Sequence, residues 1–362
     1  MADNEVRYGI IGAGMMGTEH LWNLQHLPGA VVTAAADPVE AQLEWIKAAA
    51  GDEGERIATF TDHRELLDSG LVDAVVVVSP NHTHHNIVLD VLERPGMHAL
   101  VEKPLCTTVA DCQEVVDAAR HHDGVVWMGL EYRYMPPVAR LAAAVAAGEV
   151  GRVHMVAIRE HRFPFLPKIG DWNRFNRNTG GTLVEKCCHF FDLMNLLTGD
   201  TPVAVMASGG QAVNHLDETY DGEVPDIDDH ALVIVEYAGG ARASLDLCMF
   251  AEGSKNQEEV SVVGDCGKVE AFLPSGEFRI GRREGGWPGV RTEIVTDDRV
   301  AYEGGHHGAS YLEHRDFLDA IRTGGDPGVT LEDGLLSVAV GVAAHRSIAE
   351  RRVVDVAEVL AG

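Results

Sequence analysis

The sequence predicts an α/β protein of two domains: a doubly wound parallel sheet, then an α+β domain built on a large, mostly antiparallel open sheet. Three observations predict it. From Tyr8 to about Met128, short apolar runs alternate with amphipathic stretches, as they do when helices cover both faces of a parallel sheet. A Gly-x-Gly-x-x-Gly loop, Gly12 to Gly17, stands between the first apolar run and the first amphipathic stretch. After Gly129 the runs become strands of period two, with one helical interruption. A chain of 362 residues also exceeds one ordinary domain. The division is expected at residues 1–128 and 129–362, with the terminal helices free to pack back on the first domain.

Tyr8–Ile11 reads as a buried strand and Thr18–Leu27 as the helix after the glycine loop. Gly12 permits the tight turn, Gly14 lets backbone approach a pyrophosphate, and Gly17 lets helix pack on strand. The helix N-terminus, with Met15 and Met16, offers N–H donors and a positive dipole end to phosphates. A second strand, Val31–Ala36, ends at Asp37, where a carboxylate accepts both ribose hydroxyls of a dinucleotide. Because Pro38 follows Asp37, with no arginine, a 2′-phosphate would meet an unpaired carboxylate. The expected cofactor is therefore NAD. Further strands are expected at Ala74–Ser79, Ala99–Glu102 and Val125–Met128, with helices at Val39–Ala49, His63–Leu67, Thr83–Glu93 and Val109–His121. Ligands bind beyond the carboxyl ends of such strands. Ser79, Pro80 and Asn81, and Glu102, Lys103 and Pro104, are thus expected at the rim that carries the glycine loop.

In the second half, Pro137–Ala147 reads as a helix stopped by Gly148. Strands are expected at Arg152–Glu160, Val203–Gly209, Ala231–Tyr237, Arg242–Cys248, Glu259–Val263 and Lys268–Phe272. Tyr237-Ala-Gly-Gly-Ala241 has the composition of a hairpin turn. One helix, Leu183–Leu197, interrupts the strands, and two more, Tyr311–Thr323 and Leu331–Glu350, close the chain. The Gly- and charge-rich stretch 273–305 reads as loops and edge hairpins.

A formal charge of −27 argues against nucleic acid or an anionic membrane as partner. The acidic start Met1-Ala-Asp-Asn-Glu5 lacks an apolar signal core, and no apolar run is long enough to span a bilayer, so a cytoplasmic location is expected. The six cysteines, Cys106, Cys112, Cys187, Cys188, Cys248 and Cys266, form no C-x-x-C pair and read as reduced thiols. His82-Thr-His-His85, His121-His122 and His306-His307 lack the carboxylates or thiolates of a closed metal site, so no metal is expected.

Lys103, at the rim, is placed to hydrogen-bond a substrate hydroxyl; a surface Lys–Glu pair fits the Glu-Lys-Pro tripeptide equally well. Glu185 and His189 stand four apart behind Gly180-Gly181 and would share one face of the Leu183–Leu197 helix. An imidazole with an ordinary pKa near 6.5 suits a general base at neutral pH, and Glu185 would orient it or bind a second hydroxyl. A packed core histidine beside Phe190 and Phe191 is the alternative. Asp192 reads as structural.

These stretches together resemble the Gfo/Idh/MocA oxidoreductases, relatives of glucose–fructose oxidoreductase and inositol dehydrogenase. The resemblance runs through Gly12–Gly17, Asp37-Pro38, Ser79–His84, His98, Glu102–Leu105, Gly129–Arg133 with Pro137, Gly148–Arg152, Trp172–Arg174, Gly180–Asp192, Phe317–Arg322 and Asp333-Gly334. It implies a Rossmann-type first domain and NAD held by the residues above together with His84. It also implies a dimer or tetramer, and oxidation of a secondary alcohol on a sugar or cyclitol. The family's lysine, aspartate and histidine map onto Lys103, Glu185 and His189. Glu185 departs from the usual aspartate, and an extra methylene changes which hydroxyl is held. A second reaction of the family's relatives stays open, NAD-dependent glycoside hydrolysis through transient C3 oxidation, elimination and re-reduction. The bases Arg159, Arg162, Lys168, Arg174 and Arg177 crowd one segment of an acidic chain. Of these Lys168, Arg174 and Arg177, with Trp172 and His307, are the expected substrate contacts. An anionic sugar group would suit such arginines, as ordinary pairing with local carboxylates would.

Overall fold

Apolar runs flanked by glycine and polar turns become the strands of two sheets in the computed structural model, which describes residues 5–362. Along the first third run β1 (Val6–Ile11), α1 (Met15–Gln25), β2 (Ala30–Ala36), α2 (Glu40–Ala49), β3 (Ala58–Phe60), α3 (His63–Asp68), β4 (Ala74–Val77), α4 (His84–Leu92), β5 (His98–Glu102), α5 (Val109–Ala119) and β6 (Val126–Gly129). The strands pair in parallel in the order β3-β2-β1-β4-β5-β6. Every residue of β4 is buried, as a central strand covered on both faces requires. The order reverses between β1 and β4, and ligands of such sheets bind outside the carboxyl ends of the strands at that point. Register aligns Ile11 with Val77 and Val77 with Val101, so Gly12, Val78 and Glu102 lie along one rim. The three-residue β3 escaped the sequence because it is too short to show a period.

The chain continues with α6 (Pro136–Ala146), β7 (Val153–His161), α7 (Asn176–Thr179), α8 (Thr182–Glu185), α9 (Cys188–Thr198), β8 (Pro202–Gly210), β9 (His230–Tyr237), β10 (Arg242–Cys248), β11 (Glu258–Gly264), β12 (Gly267–Leu273), β13 (Glu277–Arg282) and β14 (Arg291–Ile294). It closes with α10 (Ala309–Thr323), α11 (Leu331–Glu350), β15 (Val354–Asp355) and α12 (Val356–Leu360). The second sheet has nine strands in the order β14-β13-β12-β11-β7-β10-β9-β8-β15. Only the β7–β10 pair is parallel; the β9–β10 hairpin turns at Tyr237–Ala241.

Packing divides the chain into two compact units. One comprises the chain up to Cys106, Ala110–Glu131 and Asp298–Leu335; the other comprises Thr107–Val109, Tyr132–Asp297 and Leu336–Gly362. Helix α10 thus belongs to the first unit, and the boundary falls within α11. In the second unit α9 packs on β7 and α6 on β12 and β13. Alternate residues of the strands, such as Val156, Ile158, Val233, Val235, Leu245 and Val262, are buried. Glu160, on the same face of β7 as Val156 and Ile158, is fully buried with them. A carboxylate in that position needs polar company.

Candidate functional site

The rim of the first unit is shaped by its glycines. Gly12 has φ +107°, and a Cβ there would lie 2.7 Å from the Val78 carbonyl and the Ser79 nitrogen. A Cβ on Gly17 would lie 2.0 Å from the Gly12 oxygen, so α1 packs against the turn only without one. Gly14 is different: its Cβ would meet nothing within 4 Å, and it caps α1 with no side-chain hydrogen bond. The turn therefore leaves room, and helix N–H groups, for phosphates. Asp37 is fixed beside it, one carboxylate oxygen accepting the Ala13 N–H and the other the Val39 N–H, both at 2.9 Å. Met15 is exposed, Met16 half-buried.

Ser79 and Lys103 are half-buried at the rim and Asn81 is buried behind it. The Ser79 hydroxyl lies 2.7 Å from the Thr83 hydroxyl, whose proton goes to the Pro80 carbonyl. Two residues expected at the cofactor lie beneath the rim instead. The His84 ring is buried between the carbonyl oxygens of Pro104 and Ser79, at 2.8 and 2.9 Å, and so ties the two rim loops together. Burial holds it below the ordinary histidine value despite those carbonyls. Glu102 also turns inward: one oxygen accepts the Lys103 N–H and the other meets His20 Nε2, each at 3.0 Å. The second nitrogen of His20 lies 2.7 Å from His314 Nε2 on α10. Burial pushes the Glu102 carboxyl up, but the hydrogen bond from His20 and the charges of His20, Lys103 and His306 outweigh it and hold it well below the usual carboxylate range. No spacing in the sequence could have joined His20 to His314, 294 residues apart.

In the second unit the expected Leu183–Leu197 helix is broken. Helix α8 ends at Glu185 and α9 begins at Cys188, with Lys186 and Cys187 in a turn between. The ladder slips there: Cys187 N–H reaches back to Thr182 O at 3.4 Å, while Phe190 N–H takes Cys187 O at 3.0 Å. The slip accompanies burial of Lys186, whose ammonium lies 3.0 Å from Glu160 and donates to the Tyr132 hydroxyl at 2.6 Å. The four-residue spacing of Glu185 and His189 therefore spans a turn, and the two residues lie on different helices. Both are nonetheless buried, at 6% and 2% exposure.

His189 is stacked on Tyr132, ring centroids 4.1 Å apart and planes 8° from parallel. The Tyr132 hydroxyl donates in turn to Glu258 Oε1 at 3.3 Å. Asp192 receives Arg133 Nε at 2.7 Å and a second guanidinium nitrogen besides, a bidentate pair that pins α9. Tyr132, Lys186, Glu160 and Glu258 went unrecognised in the sequence. The usable signal was a glutamate at an inward position of β7 and a lysine inside the Gly180–Asp192 stretch.

Gly180 and Gly181 admit close approach of other parts of the chain. A Cβ on Gly181 would sit 2.3 Å from His345 Nε2, which accepts the Leu183 N–H at 3.0 Å; one on Gly180 would sit 2.8 Å from the Thr107 carbonyl. In the basic segment, Arg159 pairs with Glu259, Arg162 with Glu160 at 3.5 Å, Arg174 with Glu218 at 3.2 Å and Arg177 with Glu223. Arg174 is buried and Arg177 exposed. Lys168 and Trp172 are half-buried about the kinked turn Ile169–Arg174, where Gly170 and Asp171 have φ 70° and 50°. His307 is exposed with φ 55° and, like Lys103, belongs to the first unit; Glu185, His189 and residues 168–177 belong to the second. Among the described residues, no group of three or more His, Cys, Asp or Glu could hold a metal, and no helix is long and apolar enough to cross a membrane.

Comparison with known proteins gives two family matches. Residues 6–130 match the oxidoreductase family's NAD-binding Rossmann fold and residues 142–356 its C-terminal alpha/beta domain. The chain is 28% identical to myo-inositol 2-dehydrogenase of Thermotoga maritima, over 98% of this chain and 100% of that one. It is 26% identical to levoglucosan dehydrogenase of Pseudarthrobacter phenanthrenivorans, over 98% of each. A solved levoglucosan dehydrogenase in complex with NADH superposes with a TM-score of 0.86 over 97% of this chain and 99% of that one; at 22% identity the likeness is one of fold. With both family domains matched in order over a glycine turn that leaves room for phosphates, the chain belongs to the Gfo/Idh/MocA family of NAD-binding oxidoreductases.

Proposed function

We propose that the protein is an NAD-dependent dehydrogenase of a secondary hydroxyl on a neutral sugar or cyclitol. The observation that carries the reading is His189: a buried imidazole held face to face on Tyr132, in a chain whose relatives are named as inositol and levoglucosan dehydrogenases. When bound, the nicotinamide accepts hydride from the carbinol carbon. Gly12, Gly14, Met15, Met16 and Gly17 hold the pyrophosphate, Asp37 accepts from the adenosine ribose hydroxyls, and Ser79, Pro80 and Asn81 line the nicotinamide side. His189 takes the hydroxyl proton. Lys103 stabilises the developing alkoxide, a charge that exists only as the reaction proceeds. Glu185 holds a neighbouring hydroxyl. Trp172, Lys168 and His307 contact the sugar. Pairing of Arg174 with Glu218 and Arg177 with Glu223 favours a neutral substrate over an anionic one.

The test is incubation with NAD and a panel of cyclitols, anhydrosugars and glycosides, myo-inositol and levoglucosan included, following reduced coenzyme and free aglycone together. Accumulating NADH supports the dehydrogenase; aglycone release without net NADH replaces it with the redox-neutral hydrolase. Lys103→Ala and His189→Ala are each expected to lower kcat by at least about 100-fold. Because the two would act on one hydroxyl, the double variant is expected to lose far less than the product of the single losses.

A further inference from the structure

Behind the His189–Tyr132 stack lies a buried charge cluster that the proposed chemistry does not use. It brings together Glu160 of β7, Glu258 of β11, Lys186 of the α8–α9 turn and Arg162 just after β7. Glu160 and Glu258 are direct cross-strand partners on the inward face, 0% and 8% exposed. Lys186 lies between them and the ring: 3.0 Å from Glu160, 2.6 Å from the Tyr132 hydroxyl, and 4.8 Å from the Tyr132 ring centroid. Arg162 reaches Glu160 at 3.5 Å. The hydrogen bonds run in one direction, from Lys186 ammonium to Tyr132 hydroxyl and from that hydroxyl to Glu258. On its other side Glu258 is paired with Leu273 of β12, which brings no charge.

We propose that Glu258 is a positioning residue for the reaction, acting through Tyr132 to set how strongly the His189 imidazole binds a proton. With Glu258 ionised, the Tyr132 hydroxyl donates into a negative charge. The ring facing His189 is then electron-rich, which favours an imidazolium lying on it. With Glu258 neutral, the cluster is one unit more positive and the imidazole becomes a weaker base. Burial, then the charge of Glu160, push the Glu258 carboxyl up to about 7, against the opposing pull of Lys186 and Arg162. The changeover therefore falls where a histidine base works. This inference rests on His189 being the base proposed above.

The experiment is a titration of the His189 imidazole by ¹H–¹³C NMR in the full chain saturated with NAD, its signal identified by loss in His189→Gln. Glu258→Gln keeps the shape and a hydrogen-bonding group but fixes the charge at zero. The expected result is a His189 midpoint lowered by about half a pH unit or more in Glu258→Gln, a smaller shift of the same sign in Tyr132→Phe, and no further shift in the double variant. An unmoved midpoint in Glu258→Gln overturns the proposal, since a merely structural role would not alter the titration. Additive shifts overturn the route through Tyr132. Should Glu258→Gln not fold, Tyr132→Phe decides alone, with an unmoved midpoint overturning the proposal. Failure of the base assignment is read separately: His189→Ala would then retain turnover, whatever the titration gives.

Discussion

Tyr132 and His189 form a parallel stack, 4.1 Å between ring centroids, and the hydroxyl at the far end of Tyr132 is anchored by Lys186 and Glu258. The stack on the imidazole is thus held by buried groups from three separate segments. Stacking supplies the plane, and the anchored hydroxyl fixes how the tyrosine ring lies.

Removing the anchor and removing the ring should differ in degree. Tyr132→Phe keeps the stack but leaves Lys186 short of one acceptor, at a cost of about 1–3 kcal/mol. Tyr132→Ala also leaves a cavity and should cost roughly 3–5 kcal/mol. Denaturant titration of the two variants checks the order, and equal losses would mean that the hydroxyl rather than the ring carries the stability.

Lys186→Met should be among the most damaging single changes in the second unit. It leaves Glu160 and Glu258 buried side by side, with Arg162 3.5 Å from Glu160, and breaking a buried pair typically costs about 3–5 kcal/mol. Lowering the pH should recover part of this, because Glu258 then takes a proton. A variant equally unstable at pH 5 and pH 8 would contradict the like-charge explanation.

Glu258 makes a pH-dependent contribution to stability whose sign follows from its raised carboxyl. The folded protein holds that proton up to about 7, the unfolded chain only to about 4.5. Between these values the folded state binds more protons, so the contribution is largest below 4.5 and is lost as pH rises through 7. The stability of wild type minus that of Glu258→Gln should therefore fall across this window, by an amount on the order of 3 kcal/mol at most. A difference that rises with pH would reverse the assignment.

The glycine turn offers two substitutions with opposite signatures. Gly17→Ala places a Cβ 2.0 Å from the Gly12 oxygen and should destabilise the first unit as well as weaken NAD binding. Gly14→Ala meets nothing within 4 Å and has φ −78° at that position, so stability should change by less than about 1 kcal/mol. NAD affinity should nonetheless fall by about tenfold or more, because the methyl group would occupy the room left for phosphate. Calorimetric titration with NAD, set against melting temperature, separates the two.

Arg174→Gln should be a stability variant rather than a specificity variant. Its guanidinium is buried against Glu218, and the loss would leave that carboxylate with His215 and Tyr220 as its remaining partners. Melting temperature should drop while the ratio of kcat/KM for neutral and acidic sugars stays within about twofold. A selective loss on acidic sugars would restore the anion-binding role.

The sequence by itself determined what local physics determines. Glycine spacing, the apolar β4 run and the carboxylate at Asp37 each depend on a few consecutive residues, and the parallel sheet and dinucleotide rim follow from them. The hairpin at Tyr237–Ala241 and most strands of the second sheet followed from period-two burial in the same way. Tertiary structure alone decided which charges meet. Glu258 reaches Tyr132 across 126 residues and His20 reaches His314 across 294, separations over which no periodicity survives. It also decided that the helix through His189 breaks, because Lys186 goes to Glu160 and Tyr132 at the break. Burying a charge is costly enough to demand a partner wherever the fold can supply one, and that demand is met by position in space, which spacing along the chain does not record.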